Sequence, residues 1–108
     1  MNPEKSPQEQ SPFFNDRDVQ RLIESHKILP EDFGLIEKLA GFDKNLFIET
    51  LHNTFSFYKN SRRELQTLME NSKNEEQKKL CELSLKFFDK YGMSASMNMV
   101  SVLEDRKT

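Results

Sequence analysis

The chain has 108 residues, enough for one small domain, and its 16 basic and 18 acidic residues leave a formal net charge of −2. No basic excess exists to neutralise a phosphate backbone, which excludes nucleic acid as the expected partner. The chain has no apolar run of about 18 residues and its opening, MNPEKSPQEQSP, has no apolar centre, so neither a membrane-spanning helix nor a secretory signal is expected.

The 3 Gly and 4 Pro are few, charged residues make up 31%, and Leu, Phe and Met outweigh Val and Ile. That mixture favours helices over sheets. Nine Phe supply a core without any Trp. Cys81 stands alone, so no internal disulfide forms, and a lone thiol fits a reducing, cytoplasmic setting.

Residues 1–12 have almost nothing to bury and read as a disordered tail; residues 13–108 form the domain. Asn15 is placed to cap a helix over about 16–27, with Phe14 and Val19 at the spacing of a hydrophobic staple. Pro30 opens the next helix, Glu31 and Asp32 suit its positive end, and Phe33, Ile36 and Leu39 form its apolar edge. Gly41 is expected to end it in a left-handed conformation.

Asp43 caps the following helix, with Phe42 and Phe47 as a second staple. Phe47, Leu51, Phe55, Tyr58, Leu65 and Met69 recur at three, four or seven, predicting a long amphipathic helix over about 44–71. Arg62 falls on its apolar seam, so it must snorkel outward or meet an acid. Asn74 then caps, with Gln77 completing a capping box. Leu80, Cys81, Ser84, Leu85, Phe88 and Tyr91 form the next stripe. Gly92 stops it, and Ser94 is placed to cap a last helix holding Met97, Met99, Val100 and Leu103. Two long antiparallel helices with shorter ones packed on them predict an all-α small antiparallel helical bundle. Alternating apolar runs and turn dipeptides, the marks of a sheet, are missing.

Reactive chemistry is sparse. His26, His52 and Cys81 lie on different helices without metal-ligand spacing, and Cys81 falls on an apolar stripe where cysteine acts as a small hydrophobe. No glycine-rich phosphate loop occurs, and no cofactor is expected. His52, one residue off the seam, reads as a boundary histidine; its sharper reading is an imidazole that accepts a phosphoryl group.

The segment from LIEKLAGFDKNLFIETLHNTF through YKNSRRELQTLMENSKNEEQKKLCELSLKFFDKYG to SVLE, about 35–104, resembles the histidine phosphotransfer (HPt) family. Phe55 falls on the family's aromatic, Leu83-Ser84-Leu85-Lys86-Phe87 on its His-x-Leu-Lys-Gly, Gly92 near its later glycine, and Leu103-Glu104 on its closing pair. Leu83 stands where the family has its phosphorylated histidine, and leucine has no nucleophilic atom. Phe87 replaces the glycine that leaves room for a docking receiver domain. Gly92 comes one residue early. The family's last bundle helix has no counterpart before Thr108; the helix at 16–27, or a partner, would fill that slot, which makes a homodimer credible.

By helical angle, Leu83 and Phe87 lie at one edge of the apolar arc, with Lys79, Lys86 and Lys90 beside it. An apolar pair ringed by lysines reads as a protein-docking patch; the plainer reading is a wide core stripe with snorkelling lysines. The leading expectation is a non-enzymatic, HPt-like protein binding a two-component partner, a response-regulator receiver or a histidine kinase, through Leu83, Lys86, Phe87, Lys79 and Lys90. Lys86 steers an acidic pocket, and the protein modulates a phosphorelay by occupying a docking site. The alternatives are an active phosphocarrier using His52 or His26, and a general helical adaptor resembling a secretion chaperone.

Overall fold

The computed structural model describes residues 12–56 and 61–105, which are helical almost throughout and contain no strand. A 3-10 turn (Pro12–Asn15) leads into α1 (Arg17–His26). A second turn (Pro30–Asp32) opens α2 (Phe33–Ala40). α3 (Lys44–Phe47) runs on through a π-helical stretch (Ile48–His52) into α4 (Asn53–Ser56). α5 (Ser61–Asn71) and α6 (Glu75–Asp105) complete the chain. The expected tail lies outside the described residues but for Pro12, and so does Tyr58.

Asp43 caps α3 as expected, its Oδ2 accepting the Leu46 N–H at 3.0 Å. Other boundaries differ. Asp16, not Asn15, caps α1, accepting the Asp18 and Val19 amides at 2.8 and 3.3 Å. Asp16 wins because Asn15 is already committed to the preceding turn. α1 ends on Lys27, held left-handed at φ 54°, with the Ile28 N–H closing back to the Ile23 carbonyl at 3.0 Å. Gly41 is not left-handed: at φ −85° and ψ −5° it closes α2 with an N–H to the Lys38 carbonyl. The capping box at α6 is half formed. Asn74 Oδ1 takes the Glu76 and Gln77 amides, but the Gln77 side chain reaches Thr50 Oγ1 at 3.2 Å instead of turning back.

The π-helical stretch was not visible in the apolar rhythm. Thr54 donates its hydroxyl to the Thr50 carbonyl at 2.6 Å, and Asn53 donates its amide to the Glu49 carbonyl at 2.9 Å. Side chains that bond back to carbonyls one turn earlier compete with the regular ladder and bend a helix.

α6 is the centre of the fold. It packs against α1, α2, α3, the π-helical stretch and α5. Gly92, at φ 93° and ψ −178°, divides it into arms at 75–91 and 93–105. Only glycine occupies that backbone region without strain. The second arm starts at once, so Ser94 is not its cap. Leu80, Cys81, Ala95 and Met99 are completely buried along α6, joined in one core by Val19, Ile36, Leu39, Leu51 and Leu65.

Candidate functional site

The first arm of α6 carries all five residues singled out from the sequence, and the structure treats them differently. Leu83 is 5% exposed and Phe87 0%. This corrects the expectation of an outward apolar rim. With neighbours on several sides, the buried positions of this arm, 80, 81, 83, 84, 85 and 87, span an arc of about 200° at 100° per residue. A helix covered on one side only would leave positions 83 and 87 at the margin. Phe87 packs against the Tyr91 ring, centroids 5.0 Å apart. Phe87 thus fills the protein's own interior.

Lys90 is held in ion pairs. Its Nζ lies 2.8 Å from Glu31 Oε2 and 2.6 Å from Asp32 Oδ2. Its hydrogen bonds to the Asp32 and Glu31 carboxylates raise its pKa above the ordinary lysine value. The Tyr91 hydroxyl donates to the same Asp32 oxygen and accepts the Leu29 N–H at 3.0 Å. Burial acts to raise the Asp32 pKa, but the hydrogen bonds from Lys90 and Tyr91 hold it below the usual carboxylate value. Burial and the Asp32 bond raise that of Tyr91.

Two of the five residues do come together. Leu83 and Lys79, with Glu76, face Lys38, Gly41 and Phe42 at the end of α2 across a shallow pocket of about 290 Å³. Leu83 is its greasy floor rather than a protruding knob. Among the described residues Lys79 makes only a long pair with Glu82, 3.7 Å, between two exposed side chains. Lys86, about two turns beyond Lys79, is exposed, with no ion pair among the described residues. Sequence reasoning missed Lys38, Gly41, Phe42 and Glu76 as members of this site. Phe42 carried only a staple signal, and nothing local announces which helix end lies opposite.

The remaining candidates are dispersed. His52 is just over half exposed and turns Nδ1 toward the Glu104 carboxylate, 3.3 and 3.2 Å from its two oxygens. His26 Nε2 sits 2.7 Å from the Asn98 side-chain amide. Cys81 is fully buried, and burial pushes its thiol up to about 11, the opposite of an activated nucleophile. Arg62 escapes the seam as expected, forking onto Asp89 at 2.7 and 3.0 Å. Among the described residues no three His, Cys, Asp or Glu side chains gather to hold a metal ion. No helix among them is long and apolar enough to cross a membrane.

Comparison with protein-family models, with curated proteins and with solved structures finds no match for this chain.

Proposed function

We propose that this chain is a non-catalytic helical interaction protein that receives a protein partner at the pocket over Leu83. The observation that carries the reading is that pocket itself. At the position where the resembled family holds its phosphoacceptor, this chain has an unreactive side chain at the base of an open depression flanked by Lys38 and Lys79. Such a surface offers apolar contact and two lysines beside the Glu76 carboxylate, and no histidine lines it to accept a phosphoryl group. Lys86 adds a further exposed cation that speeds encounter with an acidic surface.

The partner implied by the resemblance is a receiver domain or a histidine kinase, held without passing phosphate on. The contact differs from the one expected at first. Leu83 contributes a floor, Phe87 supports from within, and the charged rim does the steering. The test is binding of purified receiver and kinase domains by calorimetry, with Lys79→Glu and Lys86→Glu as surface variants that leave the core alone. Binding weakened by both variants and by added salt supports the reading. Absence of binding to either domain removes the two-component partner and leaves a general helical adaptor.

One observation favours a second reading, a phosphocarrier acting through His52. A carboxylate at Nδ1 favours the proton on that nitrogen and leaves Nε2 as the nucleophilic one. Acid-labile phosphohistidine formed with a phosphorylated receiver or kinase, and lost in His52→Gln, would establish it in place of the first.

A further inference from the structure

The turn before α2 and the end of the first arm of α6 are joined by a compact polar cluster. Lys90 bridges Glu31 and Asp32, and the Tyr91 hydroxyl lies between Asp32 and the Leu29 amide. Eight residues earlier on α6, about 12 Å away by helical rise, Leu83 faces the other end of α2 across the pocket. α2 is eight residues long with Phe33, Ile36 and Leu39 all buried.

We infer that the Glu31–Asp32–Lys90–Tyr91 cluster is a latch that sets the width of the Leu83 pocket, with α2 as the lever between them. Pinning the start of α2 to α6 fixes the angle at which its far end, with Lys38, Gly41 and Phe42, stands over Leu83. Releasing the latch lets the start of α2 swing and changes access to the pocket floor. Its use as a gate rests on the docking role proposed for that pocket; its geometry does not.

The experiment reads pocket access directly. Leu83→Cys places a thiol on the floor, while native Cys81, fully buried, reports opening of the core. Tyr91→Phe keeps the ring on Phe87 and removes only the hydroxyl; Asp32→Asn removes the charge. Either change should alter the rate at which residue 83 reacts with a thiol reagent several-fold, with Cys81 still unreactive. Arg62→Gln, which breaks the pair between α5 and Asp89, should leave that rate unchanged. Hydrogen exchange on the chain with Leu83 intact carries the same test if Leu83→Cys folds poorly. Tyr91→Phe should speed exchange over 33–42 and spare 61–71. An unchanged rate at residue 83 with both latch variants, unchanged exchange over 33–42, or an equal rise at Cys81 or over 61–71, overturns the latch. A partner that fails to bind would sink the docking proposal and leave these rates as they are.

Discussion

Phe87→Ala separates a core residue from a docking residue. The ring is 0% exposed and lies 5.0 Å from that of Tyr91, so truncation removes its burial, opens a cavity and loses an aromatic pair. Changes of this kind cost about 3–5 kcal/mol in well-packed interiors. A domain of this size has about 5–15 kcal/mol in total, so the variant should lose a large share of its stability. Leu83→Ala should cost less, about 2–3 kcal/mol at the lower end for a buried leucine, because its cavity opens into an existing pocket that water can enter. Lys86→Ala, on the exposed side of the same helix, should stay within about 0.5 kcal/mol. Urea denaturation followed by far-ultraviolet circular dichroism measures all three. The slope should stay constant, so that midpoints report stability. A Phe87→Ala midpoint equal to that of Lys86→Ala would refute the packing described for this arm and restore the outward rim.

Gly92→Ala places a side chain at φ 93° and ψ −178°, where nothing lies within 4 Å of an added Cβ, so its cost is backbone strain alone. That cost should be about 1–3 kcal/mol, and a thermal melt no lower than wild type would disprove it. Ser84→Ala should stabilise by about 1 kcal/mol, because the buried Ser84 hydroxyl has no hydrogen-bond partner among the described residues; a loss on denaturation would contradict this. Asp32 has a depressed pKa, so its contribution is present above the unfolded-state value near 4 and drains away as pH falls through the folded-state value. Asp32→Asn should flatten the acid limb of a stability–pH curve, and an unaltered limb would remove Asp32 as its cause. Lys90 and Tyr91 have raised values, so theirs is lost at the alkaline end, above about pH 10. The Cys81 thiol should stay inert to an aromatic disulfide reagent at pH 8 until urea is added; rapid reaction of the native protein would show that α6 is not enclosed.

What the residues settled alone was local. Asp43 and Asn74 cap because their side chains reach amides two or three residues on, and Gly92 breaks α6 because it alone tolerates that backbone. The apolar rhythm placed Phe47, Leu51, Phe55 and Leu65 inward, the first three one turn apart and the last nearly three turns on. The same rhythm left positions 83 and 87 at an edge, because the width of a buried arc depends on how many neighbours a helix has. Only the assembled fold, with α2 laid against α6, enclosed them. The partners of Lys90 stand 59 residues away at Glu31 and of His52 52 residues away at Glu104, separations at which no periodicity links one residue to another. The pocket over Leu83 likewise exists only where the end of one helix meets the middle of another. Local chemistry wrote the helices, and the contacts between them decided which side of α6 meets solvent.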